Sequence, residues 1–324
     1  MHSFTQLVEQ FEQRLSQSLP FPELPGTLYD PCRYFLQIGG KRVRPVLCLM
    51  ANELFGEINE DAWHGAIGIE LFHNFTLIHD DIMDKAPLRR GKTTVHEKYG
   101  LTAGILCGDV MSIYAYDQLA HIEQNLSLIL HLFNKTSIEV CEGQQLDMDF
   151  ESRNDVSIDE YIHMITLKTS VLLACSLKMG ALLGGTTEGN ANKLYTFGKN
   201  LGIAFQLQDD YLDAFGDPET FGKQVGGDII ENKKTFLYLT ALARSERKEA
   251  LQLEHLYSIS PRDASGKIEA VKALFESSGA AELTKEEISK YTKMAFEVLE
   301  KLEIPQEKKE LLRKYGRSLM EREV

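Results

Sequence analysis

An all-α fold follows from three observations on the sequence. Apolar residues recur at helical spacing along most of the chain, no stretch alternates apolar and polar residues with the period of two that marks a strand, and the connections between periodic runs are short. Roughly ten or more helices are expected, packed as a bundle whose polar sites project into its core. A length of 324 residues admits two domains. No Pro-, Gly- or Ser-rich linker and no low-complexity run divides the chain, however, so one large domain, 1–324, is predicted. A hydrophobic content of 43% is ample for an extensive core.

The first helix is predicted over residues 3–18 by Phe4, Leu7, Val8, Phe11 and Leu15, and the breaker run LPFPELPG ends it. The turn Ile38-Gly-Gly-Lys-Arg-Val-Arg-Pro45 follows. Its glycines let the backbone turn and expose amide hydrogens, while Lys41, Arg42 and Arg44 gather three cations just ahead of an apolar helix. Such a turn either fits a diphosphate or is a solvated surface loop.

Trp63 to Met83 reads as a long amphipathic helix that delivers Asp80, Asp81 and Asp84 at its C-terminal end. At i and i+4, Asp80 and Asp84 project side by side. Pro87 is expected to end the helix, with Arg89 and Arg90 just beyond. A helix C-terminus already carries partial negative charge, so three carboxylates there call for cations. Hard oxygen ligands suit Mg2+, and adjacent arginines suit a phosphate group. One acidic triplet on a helix is as a rule merely solvated. A second copy, Asp209, Asp210 and Asp213 in FQLQDDYLD, changes the balance, because clustered like charges repel unless a cation lies between them. His73, two turns before Asp80 on the same face, either donates to a phosphate oxygen or is an ordinary satisfied histidine.

A helix over Leu101 to Ala120 and another over 125–149 come next, the latter ending in Glu142-Gly-Gln-Gln-Leu-Asp147, where Gln144 and Asp147 fall at i and i+3 and can face a common cavity. Ser157, Asp159 and Glu160 form a capped start to an apolar helix interrupted by Lys168 and Thr169. An ammonium and a hydroxyl in such a run either line a polar cavity or distort the helix, and of the two the cavity is expected. The helix from Asn192 to Phe215 carries Gln206 and the second aspartate cluster. After it, GDPETFGKQVGGDIIENKKT is a Gly-rich loop whose Lys223, Lys233 and Lys234 can close over a phosphate. Beyond residue 236 the chain is helical, broken at Pro261, and ends in mixed Lys and Glu that read as solvated faces.

The acidic surplus, 48 against 35 basic residues, argues against nucleic acid as partner and leaves any phosphorylated ligand to local basic clusters and metal. Cys32, Cys48, Cys107, Cys141 and Cys175 are scattered in apolar context with no C-x-x-C pair, as expected of reduced core residues in a cytoplasmic protein. Neither a signal peptide nor an apolar span of about 18 residues is expected, hence no stable membrane anchor.

GGKRVRP, DDIMD followed by RR, GQQLD, LKT, FQLQDDYLD and GKQVGGDIIENKKT occur in that order over 38–235. Each alone is weak; the ordered set closely resembles the trans-isoprenyl diphosphate synthases, the polyprenyl synthetase family. The resemblance implies an all-α bundle of the isoprenoid synthase type with a central cavity, usually a homodimer. It also implies condensation of isopentenyl diphosphate with an allylic diphosphate. Asp80, Asp84 and Asp209 would hold a cluster of about three Mg2+ ions, while Asp81, Asp210 and Asp213 orient metal-bound waters or basic neighbours. Arg89, Lys168, Lys223 and Lys233 would contact the allylic diphosphate, and Lys41, Arg44, His73 and Arg90 the isopentenyl diphosphate. Thr169 and Gln206 would turn oxygen lone pairs towards the cationic carbons.

In such enzymes the first bulky residue below the metal site limits product length. Phe75, five residues before Asp80, lies roughly 7–8 Å deeper at about 1.5 Å per residue, and Phe72 reinforces it one turn lower. With Thr76 at the fourth position, a C20 or C15 product is expected, C20 before C15. Two alternatives are a class I terpene cyclase and a non-catalytic regulatory subunit. A cyclase would carry an Asn/Ser/Glu-type triad where this chain has DDYLD and would not need the basic turn. A regulatory subunit would have lost an aspartate cluster or basic contacts, and none is missing.

Overall fold

The computed structural model describes residues 1–17, 21–217 and 225–320, and within them the all-α expectation holds. The chain groups into two compact units, Met1–Asn134 with Cys175–Leu194 and Lys135–Ala174 with Tyr195–Val324.

In the first unit, α1 (Phe4–Gln17) buries Leu7, Phe11 and Leu15, the stripe its sequence spacing sets, and packs on α3 (Val43–Glu53). Between them, α2 (Gly26–Gln37) has no counterpart in the sequence-based reading. Pro25 precedes it and Pro31 sits inside it, so local signals favour a break; burial of Cys32, Phe35 and Leu36 overrides them. α4 (Glu60–Met83) starts at Asn59, whose side chain accepts from the Ala62 amide at 2.9 Å, and Glu60 and Asp61 complement the dipole. It packs against α3, α5 (Val95–Tyr99) and α6 (Leu101–Ala120).

α4 closes at Met83, the bound read from the sequence, but Pro87 is not what stops it: Lys85 takes a left-handed φ of 52° before the proline is reached. Asp84 keeps the helical conformation as C-cap, its amide donating to the Asp80 carbonyl at 2.9 Å, so the two carboxylates retain their one-turn relation. A hairpin of two-residue strands, β1 (Leu88–Arg89) and β2 (Lys92–Thr93), follows where no strand was expected. Arg90 (φ 52°) and Gly91 (φ 72°) are both left-handed, as a two-residue turn between twisted strands requires. Strands this short cannot display a period-two pattern.

In the second unit, from residue 135 of α7 (Leu126–Ser152), the chain reaches α8 (Ile158–Ile165) through the expected cap, a reciprocal Ser157–Glu160 box. Between α8 and α9 (Val171–Leu183) lies a π-helical turn, Thr166–Ser170. Lys168 and Thr169 lie within this turn, so the helix is distorted where the two polar residues interrupt the apolar run. The turn is gripped from two sides: a Cβ at Gly143 of α7 would lie 2.7 Å from the Leu167 carbonyl carbon and closer still to the Lys168 nitrogen, and one at Gly202 of α10 (Glu188–Phe215) would lie 2.8 Å from the Ser170 Cα. Gly143→Ala is expected to destabilise the protein by about 1–3 kcal/mol through overpacking, read as a lower denaturation midpoint.

The remaining helices are α11 (Gly227–Ile230), α12 (Phe236–Arg244), α13 (Arg247–Leu256), α14 (Ser265–Ser277), α15 (Ala280–Glu300) and α16 (Gln306–Met320). α12 packs on α8, α13, α14 and α15. Ile203, Leu207 and Leu212 of α10 join Leu237, Val271 and Phe275 in the core of this unit.

Two compositional expectations are corrected. The run Ile158–Leu183 contains an 18-residue window of mean hydropathy 1.4, long and apolar enough by composition to cross a membrane; 72% of that window is buried inside the protein, as in a core helix. Cys141 is exposed, whereas the other four cysteines are buried. It lies on the outer face of α7, which its apolar sequence neighbours do not reveal.

Candidate active site

Two polar clusters carry the residues singled out by sequence, one in each unit. In the first, the turn before α3 divides its three cations. Arg42, left-handed at φ 47° and 3% exposed, donates Nε to Glu12 Oε1 (2.6 Å), Nη1 to Glu70 Oε1 (2.5 Å) and Nη2 to the Leu36 carbonyl (3.0 Å). It is thus committed to the interior and not to a ligand. Lys41 before it is exposed, and Arg44 after it is half-buried.

Arg44 Nη1 lies 3.1 Å from His73 Nε2. A guanidinium only donates, so Nε2 accepts and the ring proton sits on Nδ1. Burial, reinforced by Arg44, Arg90, Arg89 and Arg42, holds His73 well below the ordinary histidine pKa, so it is a neutral donor through Nδ1. The Arg90 guanidinium rests against Gly40, where an added Cβ would stand 2.7 Å from Nη1. Arg44, His73 and Arg90, from three separate segments, are therefore brought together, with Lys41 adjoining the glycine that Arg90 covers.

Arg89, from the hairpin, donates Nε to Asp81 Oδ1 at 2.7 Å and reaches Asp80 Oδ2 at 3.5 Å. Asp81 is thus paired with a basic neighbour. Burial, against the pull of Arg89, raises its pKa. Asp84 is exposed at the helix end. Below this cluster, Phe72 is buried and edge-on to Phe75 (5.5 Å) and Phe133 (5.2 Å); Phe133 meets Tyr116 (5.2 Å), and Phe75 meets His79 (4.9 Å). The two expected floor residues are part of an aromatic layer. Phe133 and Tyr116, on other helices, have no sequence signal that ties them to it.

In the second unit, Lys168 Nζ bonds Asp147 Oδ2 at 2.6 Å. Thr169 Oγ1 donates to Gln206 Oε1 (3.1 Å), Gln206 Nε2 donates to Asp210 Oδ1 (3.0 Å), and the Tyr161 hydroxyl donates to Asp210 Oδ2. Asp213 Oδ2 accepts from the Asp228 amide at 2.9 Å, tying α10 to the start of α11. Burial pushes Asp210 up to about 7, its bonds to Tyr161 and Gln206 opposing and Asp209 and Asp213 adding to the rise. Although burial opposes it, Lys233 is held above its ordinary value by Asp228 and Glu231, the latter at 2.9 Å. Lys234 is not available to a phosphate: its ammonium donates to the carbonyls of Phe150 (2.9 Å), Glu151 (3.2 Å) and Arg153 at the end of α7. Lys223 lies outside the described residues. Asp209 is half-buried one turn from Asp213.

These donors fit a hard cation. Each cluster offers carboxylate oxygens, and Asp81 Oδ2 is buried with no hydrogen-bond partner among the described residues. No three His, Cys, Asp or Glu side chains among the described residues close into a ready-made cage. Carboxylate oxygens suit Mg2+, which keeps several waters and is held by one or two carboxylates together with substrate phosphate oxygens.

Residues 25–275 match the family model described as polyprenyl synthetase. A geranylgeranyl diphosphate synthase of Methanosarcina mazei is 43% identical over 68% of this chain and 69% of its own length. A geranylfarnesyl diphosphate synthase of Natronomonas pharaonis is 37% identical over 85% of this chain and 84% of its own. Among solved structures, a crystal structure of a geranylgeranyl pyrophosphate synthase superposes with a TM-score of 0.95 at 47% identity, covering 100% of both chains. With motifs, helical fold and relatives in agreement, the chain belongs to the polyprenyl synthetase family and is a short-chain trans-isoprenyl diphosphate synthase.

Proposed function

We propose that this enzyme condenses isopentenyl diphosphate head-to-tail with an allylic diphosphate to give a C20 all-trans prenyl diphosphate. The observation that carries this reading is the grouping in one unit of Arg44, neutral His73 and Arg90, with Lys41 beside them, and, on the same hairpin as Arg90, Arg89 held at the aspartate end of α4. The first group suits a diphosphate bound directly, and the arginine–aspartate end suits one bound together with metal.

Lys41, Arg44, neutral His73 and Arg90 hold isopentenyl diphosphate; Arg89, Lys168, Lys233 and Lys223 hold the allylic diphosphate. Asp80, Asp84 and Asp209 are the residues that would hold Mg2+. When bound, the metal supplies the positive charge that stabilises the departing pyrophosphate. Ionisation leaves an allylic cation, the isopentenyl double bond attacks it, and a proton is lost. Thr169 Oγ1 and Gln206 Oε1 stabilise the cation with lone pairs too weakly nucleophilic to trap it. Pyrophosphate takes the proton, because no side chain in these motifs is an evident base. The family match contains segments of both compact units, which supports residues 1–324 acting as one functional domain.

Incubation of the purified enzyme with isopentenyl diphosphate, Mg2+ and separate C5, C10 and C15 allylic primers tests the reading. Elongation to C20 is expected. A cyclic hydrocarbon, or no elongation, would overturn it. The C20 length rests on the Phe72–Phe75–Phe133 layer, and relatives are named for C20 and for C25 products. Phe75→Ala is expected to shift product towards longer chains, seen by chromatography of the dephosphorylated alcohols; an unchanged length would remove Phe75 as the floor.

The working state is proposed to be a cytoplasmic homodimer. Leu101, Ile105, Leu106, Ile113 and Tyr116 form an exposed apolar stripe on α6, and such a stripe suits a second copy. Sedimentation at the monomer mass, 36.6 kDa, would exclude the dimer.

A further inference from the structure

We propose that Tyr161 is a positioning residue for the condensation, fixing the Asp210 carboxylate and, through it, the amide of Gln206 that faces Thr169. The proposal rests on the reading of Thr169 and Gln206 as the groups that stabilise the allylic cation. In sequence Tyr161 is no more than an apolar-face aromatic of α8. In the fold it is 4% exposed, and its hydroxyl donates to Asp210 Oδ2.

The connection is continuous and each link has a direction. Asp210 is buried, and its two oxygens take different donors: Oδ2 takes Tyr161, and Oδ1 takes Gln206 Nε2 at 3.0 Å. Gln206, one helical turn before Asp210 on α10, can give Nε2 to Asp210 only by turning Oε1 the other way. There Oε1 meets the Thr169 hydroxyl at 3.1 Å. If the amide flipped, an N–H group would replace that oxygen, and a donor repels a developing carbocation where a lone pair attracts it. A carboxylate held by Gln206 alone is free to rotate about its terminal torsion, which is broad and nearly two-fold. The Tyr161 bond removes that freedom, and burial makes the bond costly to leave unmade. Tyr161 thus sets which face of Gln206 the substrate meets without touching substrate.

Tyr161→Phe keeps the ring and removes the hydroxyl. Its kcat is expected to fall about 10-fold or more, the scale of lost outer-sphere support, with KM for both diphosphates unchanged within about two-fold. In a Gln206→Leu background, Tyr161→Phe is expected to add no further loss, because its effect acts through Gln206. Multiplicative losses, a wild-type kcat or a raised KM with kcat intact would each overturn the proposal. A crystal structure of Tyr161→Phe supplies a readout independent of turnover: Asp210 is expected to turn out of hydrogen-bond reach of Gln206 Nε2, and an unmoved pair overturns the proposal. If Gln206→Leu alone leaves kcat intact, the cation-facing role of Gln206 fails instead, and the crystal structure still decides whether Tyr161 positions it. A cooperative melting transition of Tyr161→Phe, lowered by the lost bond but still above the assay temperature, separates either result from misfolding.

Discussion

Asp80→Asn is expected to lower kcat by about 10^2-fold or more while leaving the protein as stable as before, or slightly more so. The replacement has the same shape and removes one charge. Charge is what the proposed chemistry needs, since a cation that offsets the departing pyrophosphate requires an anionic ligand, and losing one preorganised electrostatic contact at a reacting centre costs about 10^2–10^3-fold. Stability moves the other way. Asp80 sits in the last turn of α4 beside Asp81, with Arg89 only at 3.5 Å while the same guanidinium serves Asp81 at 2.7 Å. A carboxylate there faces the negative end of the helix dipole, so its neutralisation relieves repulsion by about 0.3–1 kcal/mol. Steady-state rates with labelled isopentenyl diphosphate, together with melting curves, check both halves. Near-wild-type turnover would take Asp80 out of the metal-binding set.

Glu70→Ala should produce the largest loss of stability. The Arg42 side chain is 1% exposed and that of Glu70 is 5% exposed, and Glu70 Oε1 also accepts from Asn74 Nδ2 at 3.1 Å. Removing Glu70 strands a buried guanidinium N–H and an amide N–H together, a change that costs about 3–5 kcal/mol for a broken buried pair. Glu12 still holds Arg42 Nε, but its side chain is 44% exposed and offers a screened partner. The double variant Arg42→Met/Glu70→Leu removes both charges and is expected to be markedly less destabilised than Glu70→Ala. Because Arg42 anchors the turn that presents Lys41 and Arg44, Glu70→Ala is also expected to raise KM for isopentenyl diphosphate more than KM for the allylic substrate. Denaturant midpoints decide the first claim and initial rates the second. If Glu70→Ala unfolds at the wild-type midpoint, the pair is not what holds the turn.

Much of the site was legible because its chemistry needs charged residue types at fixed spacing. Two aspartates one turn apart on a helix are neighbours in any fold, and Asp84 retains that relation to Asp80 even though the helix stops at Met83 and not at Pro87. Lys41, Arg42 and Arg44 show the limit of such reading. As letters the three are alike, and only packing decides that Arg42 turns inward to Glu12 and Glu70. Lys233 and Lys234 part in the same way, one flanked by Asp228 and Glu231, the other capping the carbonyl end of α7. The hairpin that carries Arg89 and Arg90 escaped because strands of two residues have no period.

The sequence by itself determined the helical class, the amphipathic faces, the Ser157 cap and the two aspartate clusters, since each depends on residues within a turn or two of one another. Tertiary structure alone decided the partners of each polar group. It placed Lys168 and Thr169 on a π-helical turn packed against Gly143, joined His73 to Arg44, and set Tyr161 against Asp210. The last two pairings join residues 29 and 49 positions apart. A buried donor takes whichever acceptor the packing of helices brings within about 3 Å, and no spacing along the chain encodes that choice.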